Sequence, residues 1–150
     1  MKQLKIYVAS SWRNVWYSDV ITFLKTHPEF DIYDFQHPAQ GNNGFSWSYI
    51  DKNWEYWSFA SYRKALEHPI AERGFAFDFN AMQEAHACVL VLPCGRSAHI
   101  EAGFMAGTKK PVYALFRDNQ EPELMYKCLA GVSNNLLEIA GKLLAQQKLL

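Results

Sequence analysis

The sequence has little of what marks several common classes of protein. It contains three cysteines, an odd number without CxxC spacing, so neither a disulfide framework nor a zinc finger is expected. Its apolar runs are far shorter than the roughly 18 residues that cross a bilayer. The first ten residues have the length of a strand and lead into a polar segment, unlike a signal peptide. We therefore expect a reduced, cytoplasmic protein without membrane contact.

The net charge gives no global attraction to a polyanion. Lys and Arg number 15, as do Asp and Glu, so the formal charge is zero. A neutral chain offers no broad basic surface for nucleic acid or for an anionic membrane, although a local basic pocket is compatible with it. We expect a small-molecule ligand and no nucleic acid polymer.

Motifs of several well-known enzyme classes are missing. The chain has no GxGxxG and no Walker A pattern, which leaves ordinary dinucleotide and P-loop chemistry without support. It has no GxSxG pattern, and its five histidines show neither HxxxH nor HExxH spacing. We expect no metal and no cofactor.

Strand-like and helix-like segments alternate along the chain. Short apolar runs predict strands at 4–9, 88–92 and 111–116, and a run that mixes apolar and polar residues predicts an edge or half-buried strand at 30–35. A fifth strand is predicted more weakly at 128–132. Strands separated by helices in this way imply a doubly wound parallel α/β sheet. If the strand order is 2-1-3-4-5, ligands bind at the carboxyl edge between the first and third strands, which is the switch point.

The stretch 88–107 carries the main candidate site. Its strand breaks into a helix for which Ser97 is the predicted N-cap, with Ile100 and Phe104 at helical spacing. This helix should begin at the carboxyl edge of the sheet, where anionic groups are favoured. Glu101 lies on it with no basic residue one turn away.

Glu101 has two interpretations. Acids are common in the first turn of a helix, where the macrodipole stabilises them. A capping box is not the reason for this acid, because the third residue after Ser97 is Ile100. A carboxylate without an evident partner in a crevice is a candidate for chemistry, so both interpretations stay open here. Cys94, close to the same helix end, is a weaker candidate for a nucleophilic thiolate.

Residues 36–57 form a long predicted insertion. The segment holds Gly and Asn residues and then the aromatic residues Trp47, Trp54 and Trp57. Loops of this length are usually functional or disordered, and tryptophans argue against disorder. We interpret the insertion as either a lid or pocket wall, or a satellite core or dimer contact.

The helical stretch after Pro69 contains a second carboxylate of interest, and Gly74 is a potential interruption of this helix. Asp78 lies between two phenylalanines, where a carboxylate is unfavourable unless it is paired. It is therefore either a satisfied core acid or a second functional acid. Two carboxylates with hydroxyls and large aromatics suit sugar transfer, in which one acid meets the anomeric carbon and the other assists the leaving group.

The segments KIYVASSW, DFNAMQEAHACVLVLP and GRSAHIEAGFMAGTKKPVYAL resemble the nucleoside 2-deoxyribosyltransferase family, which includes relatives that hydrolyse nucleoside 5′-monophosphates. The resemblance implies a flavodoxin-like fold, a single domain over 1–150 and chemistry at an N-glycosidic bond. It implies that Glu101 is the nucleophile, that Asp78 assists the departing base and that Tyr7 positions the nucleophile.

The resemblance also extends the predicted site. In relatives that act on monophosphates, serines and backbone near the helix start hold the phosphate. Family sites are completed by a neighbouring subunit, which implies a homodimer or a higher homo-oligomer and makes Glu123 or Tyr126 candidates for that role. The predicted substrate-binding residues at the sheet edge are Ser10, Ser11, Trp12, Gly95, Arg96 and Ser97. Trp47 is a further predicted substrate-binding residue, although the aromatic insertion that contains it has no counterpart in the family pattern.

Two other functions stay open at this point. A related fold with a catalytic glutamate occurs in TIR-like domains that cleave NAD. A nucleotide-binding module without catalysis, whose aromatic insertion serves a partner, is the second alternative.

The chain also departs from the family pattern, because His86 precedes the third strand where members often carry an acid.

Overall fold

A computed structural model describes all 150 residues. The helices and strands are β1 (Leu4–Ala9), α1 (Tyr17–Lys25), β2 (Phe30–Asp34), α2 (Phe59–Ala65), α3 (Pro69–Glu84), β3 (Ala87–Val91), α4 (Arg96–Gly107), β4 (Val112–Leu115), β5 (Gly131–Ser133) and α5 (Leu136–Gln147). Three short 3₁₀ turns cover Trp47–Tyr49, Trp54–Tyr56 and Leu124–Cys128. No helix combines the length and the apolar character that a membrane crossing requires.

The chain divides into two compact units. The sheet unit comprises Met1–Asp34 and Glu84–Leu150, and the insert unit comprises Phe35–Gln83. The predicted insertion, 36–57, lies within the insert unit, which also contains α2 and nearly all of α3.

The five strands form one parallel sheet in the order β2-β1-β3-β4-β5. This confirms the predicted doubly wound, flavodoxin-like α/β fold. The central strands are apolar and almost completely buried: β3 is buried at every position and β1 at every position except Lys5. Continuous burial of this kind is expected where helices cover both faces of a parallel sheet. The switch point lies between β1 and β3.

The register of the strands assigns helices to the two faces of the sheet. Tyr7 pairs with Tyr33, so the two side chains point to the same face. The Tyr7 hydroxyl reaches Glu101 on α4, which places α4 over that face. Asp34 follows Tyr33 and points to the opposite face, where the Tyr17 hydroxyl of α1 donates to its carboxylate at 2.7 Å.

The beginning of α4 differs from the prediction. Gly95 occupies the N-cap with extended backbone, Arg96 is the first helical residue, and no side chain caps this end. Ser97 therefore lies inside the first turn, and its prediction as N-cap is wrong. The physical reason is that Gly95, in the short turn that follows the end of β3 at Val91, already supplies the extended geometry that an N-cap needs.

The buried face of α4 also differs from the spacing of its large apolar residues. Ile100 is 72% exposed, and the residues that pack inward are Ala98, Ala102 and Met105. The two alanines let the helix approach the sheet closely. Ile100 therefore does not define the core of this helix, and Met105 is the large side chain that does.

The helix α3 runs through Gly74 without interruption, so the predicted break there is wrong. A Cβ atom at Gly74 would lie 3.0 Å from both Cβ and Cδ2 of Phe45. The glycine is thus explained by the close approach of the Phe45 side chain to the helix. Side chains cap two other helices: Ser58 accepts a hydrogen bond from the Ser61 N–H at the start of α2, and Asn135 accepts one from the Leu137 N–H at the start of α5.

The insert unit contains a satellite aromatic core. The Trp47 ring packs edge-to-face on the rings of Phe45, Trp57 and Tyr62, with centroid distances of 4.8, 5.6 and 5.9 Å. The Trp57 indole donates to Asp51 at 2.8 Å. Together with the backbone N–H of Asn53, this bond lowers the pKa of Asp51 below its ordinary value. The satellite-core interpretation is thus supported within this unit, and a role as a lid stays a prediction.

Candidate active site

Glu101 lies in the second turn of α4, on the side that faces β1. The helix begins at Arg96, and its first turn contains no acid. The macrodipole acts within the first turn, so the interpretation of Glu101 as a simple dipole-stabilising acid is wrong. Its Oε2 atom accepts a hydrogen bond from the Tyr7 hydroxyl instead.

Tyr7 is a fully buried residue in the middle of β1. Its hydroxyl donates to Glu101, and its ring stacks on Tyr33 of β2 with a centroid distance of 5.2 Å and an interplanar angle of 14°. A hydroxyl that donates to a carboxylate makes a charge-assisted bond, which is stronger than a neutral one. This is the contact that a positioning role for Tyr7 requires.

The surroundings of Cys94 do not favour a thiolate. Burial, and next the negative charge of Glu101, raise the pKa of the Cys94 thiol to about 12. The sulfur lies 3.7 Å from Nδ1 of His99. The thiol is therefore un-ionised near neutral pH, and the nucleophilic role considered for Cys94 has no electrostatic support.

The loop after β1 is bonded to the end of β3. The Ser10 hydroxyl donates to the Val91 carbonyl at 2.9 Å, and the Asn14 amide donates to the Ser10 hydroxyl and to the Pro93 carbonyl, each at 3.2 Å. Asn14 is buried. The sequence interpretation missed this residue, because neither its burial nor its hydrogen-bond partners can be read from the sequence. Asn14 holds together the two loops that border the switch point.

Six of the seven predicted substrate-binding residues lie at one edge of the sheet unit. Three follow β1 and three follow β3, and these two strands are paired neighbours. Trp12 is 53% exposed, and the side chains at the beginning of α4 are exposed as well. The residues at this edge are Ser10, Ser11, Trp12, Gly95, Arg96 and Ser97.

Comparisons with known proteins agree with this architecture. No protein-family model and no curated sequence matches the chain. Its structure is similar to that of a 2-deoxyribosyltransferase from Bacillus psychrosaccharolyticus, with a TM-score of 0.56, 16% sequence identity, and coverage of 93% of this chain and 95% of that one. The chain has a nucleoside 2-deoxyribosyltransferase-like fold. The fold implied by the sequence resemblance is thereby confirmed.

Two predicted site residues lie in the insert unit. Asp78 is half-buried on α3, and Trp47 is half-buried in the satellite aromatic core. The roles of Asp78 in base departure and of Trp47 in substrate binding stay predictions.

A separate cavity of about 530 Å³ lies along another side of α4 in the sheet unit. His99 lines it, and its Nδ1 atom lies 2.8 Å from the carbonyl of Gly95, a contact that leaves the N–H groups of the helix end uncapped. Because a carbonyl only accepts, Nδ1 carries the hydrogen of this bond, and Nε2 lies 3.0 Å from the Tyr126 hydroxyl. Glu123 and Tyr126 both line this cavity, and their predicted role in a neighbouring subunit's site stays a prediction.

Proposed function

We propose that this protein breaks the N-glycosidic bond of a nucleoside or a nucleoside 5′-monophosphate, by hydrolysis or by transfer of the sugar to a second base. The observation that carries the proposal is the hydrogen bond from Tyr7 to Glu101 at the switch point of the sheet. The fold that the chain shares with a 2-deoxyribosyltransferase supports the choice of substrate class.

In the proposed reaction, Glu101 attacks the anomeric carbon of the sugar. The bond between this carbon and the base nitrogen breaks, and its electron pair leaves with the base. Asp78 is the proposed donor of the proton that neutralises the departing base. Water or a second base then attacks the anomeric carbon, gives its proton to the Asp78 carboxylate and displaces the Glu101 carboxylate, which restores both acids to their starting state.

Tyr7 has the role of a positioning group in this scheme. Its hydroxyl donates to one carboxylate oxygen of Glu101 and so limits rotation of the carboxylate about its terminal torsion. A fixed carboxylate loses less orientational freedom on approach to the anomeric carbon.

The beginning of α4 is the proposed site for a 5′-phosphate. No side chain caps this helix end, so its backbone N–H groups are available to an anion, and the helix dipole favours negative charge there. Arg96 and Ser97 are exposed beside it and supply further donors. Trp12, in the loop that follows β1, and Trp47 are proposed to stack on the base.

Assembly and cellular location complete the proposal. We propose a homodimer or a higher homo-oligomer in the cytoplasm, in which Glu123 or Tyr126 of one copy contributes to the site of another. Sedimentation of the wild-type protein measures the oligomeric state, and a monomer that turns over substrate would contradict the shared site.

The function is tested by a substrate panel. Purified full-length protein is incubated with nucleosides, their 5′-monophosphates and NAD, with and without a second free base, and base release is followed by chromatography. We expect release from a nucleoside or a monophosphate, with a new nucleoside formed only if the enzyme is a transferase. Release of nicotinamide alone would favour the NAD-cleaving alternative. Tight binding by calorimetry without turnover would favour a non-catalytic module.

A further inference from the structure

The ring of Tyr33 supports the ring of Tyr7 from the neighbouring strand. The two residues are register partners in the parallel pair of β2 and β1, so both side chains point to the face covered by α4. Their centroids are 5.2 Å apart and their planes differ by 14°. This centroid distance is close to the roughly 4.8 Å between neighbouring strands. The two rings therefore stack side by side across the strands, one ring on each strand.

We infer that Tyr33 is a positioning residue that holds the Tyr7 hydroxyl against Glu101, an inference that rests on the proposed function. Tyr7 is completely buried, and its ring lies between register partners on both sides, Tyr33 on β2 and the small residue Cys88 on β3. On the β2 side the stacked ring blocks displacement of the Tyr7 ring. The hydroxyl at the tip of that ring therefore stays at the carboxylate.

This role makes a prediction that a merely structural role does not. A stacked ring that only stabilises β2 would affect the free energy of unfolding and leave the Glu101 carboxylate unchanged. A positioning ring affects the hydrogen bond that stabilises the charged carboxylate, so its loss makes protonation of Glu101 easier. The titration of Glu101 thus separates the two roles.

The test uses two substitutions at Tyr33 and one at Tyr7. Tyr33→Leu removes the stacked ring and keeps an apolar side chain in the strand, whereas Tyr33→Phe keeps the ring. Glu101 is titrated by ¹³C NMR of its side-chain carboxyl in each variant and in Tyr7→Phe. We expect the titration of Glu101 to move to higher pH in Tyr7→Phe and in Tyr33→Leu, and to stay at the wild-type position in Tyr33→Phe.

A matched control is available on the same strand. Phe30 stacks on His27 with a centroid distance of 5.1 Å and an angle of 25°, at the other end of β2. Phe30→Leu removes a stacked ring from β2 without touching Tyr7, and we expect it to lower stability and leave the Glu101 titration in place. An unchanged titration in Tyr33→Leu, beside a shifted one in Tyr7→Phe, would overturn the inference. So would equal shifts in Tyr33→Leu and Phe30→Leu.

Kinetics supply the second readout. With the substrate found in the panel, Tyr33→Leu should lower kcat by about tenfold and leave KM nearly unchanged, because small displacements of a positioned group cost up to about 10²-fold in rate. Tyr33→Phe, which keeps the stacked ring, should have the wild-type kcat. A wild-type protein that releases no base contradicts the proposed function, and the NMR titration then decides the inference on Tyr33 by itself.

Discussion

The Tyr7 hydroxyl donates a hydrogen bond to Glu101 across a sequence separation of 94 residues. The bond joins a central strand of the sheet to the second turn of α4, beside the crevice where doubly wound sheets bind ligands. The carboxylate of Glu101 is thus held in place by a buried donor, which distinguishes Glu101 from an ordinary acid on a helix surface. The proposed chemistry depends on this pair.

Removal of the Tyr7 hydroxyl should slow the reaction more than it weakens binding. Tyr7→Phe keeps the buried ring and deletes the donor to Glu101. Bonds to charged groups contribute about 1.5–3 kcal/mol, so we expect kcat to fall by about ten- to a hundredfold with a smaller change in KM. Tyr113→Phe, on β4, is the matched control and should have the wild-type rate. Wild-type kcat in Tyr7→Phe would remove the positioning role.

The pKa of the Cys94 thiol, and with it the rate of its alkylation, should depend on the charge of Glu101. That charge contributes to the raised pKa of Cys94, so Glu101→Gln should lower this pKa and speed alkylation at a given pH. Iodoacetamide labelling of a Cys128→Ala background, followed by mass spectrometry across pH 7–10, measures the change. The fully buried Cys88 should stay unlabelled in both proteins. Equal labelling rates of Cys94 with and without the Glu101 carboxylate would contradict their electrostatic coupling.

Arg96 should matter for monophosphates and not for nucleosides. A guanidinium beside the uncapped beginning of α4 adds a charge-assisted bond to a phosphate and has nothing to bind in its absence. Arg96→Ala should therefore lower kcat/KM for the monophosphate by about tenfold or more and leave the matched nucleoside unaffected. The nucleoside is the internal control. Equal losses for both substrates would show that Arg96 acts on the fold or on the sugar.

Two helical glycines should respond in opposite ways to alanine. In a helix interior, Gly→Ala ordinarily stabilises by about 1 kcal/mol. Gly141→Ala on α5 should do so, because a Cβ there meets nothing within 4 Å. At Gly74 the new Cβ would lie 3.0 Å from Phe45, so Gly74→Ala should fail to stabilise or should destabilise. Urea unfolding of the two variants measures both changes, and equal stabilisation would show that Phe45 can move away.

The fold could be predicted from the sequence because buried parallel strands leave a strong signal. Two apolar segments, at 88–92 and 4–9, predicted the central strands β3 and β1. The alternation of strand-like and helix-like segments predicted the parallel sheet around them. The predicted ends of strands differ from the observed ones, most of all for β5. β5 lies at Gly131–Ser133, later than predicted, because the preceding residues Leu124–Cys128 coil into a 3₁₀ turn.

The candidate site was predictable only in part. Glu101 stands out in the sequence as an acid without an evident basic partner, but its bond to Tyr7 was implied by family resemblance and not by periodicity. The N-cap at Gly95 was missed because Ser97 is a better capping residue in isolation. Asn14 was missed because its partners, a hydroxyl and two carbonyls, come together only when β1 and β3 pair.

The rate of base release by Glu101 variants is the most direct test of the proposed reaction. Glu101→Ala and Glu101→Gln are compared with the wild type on the substrate identified in the panel, with circular dichroism to show that each variant is folded. Loss of an attacking group should lower kcat by about 10³-fold or more in both variants. Base release by folded Glu101→Ala at the wild-type rate would contradict the assignment of Glu101 as the nucleophile.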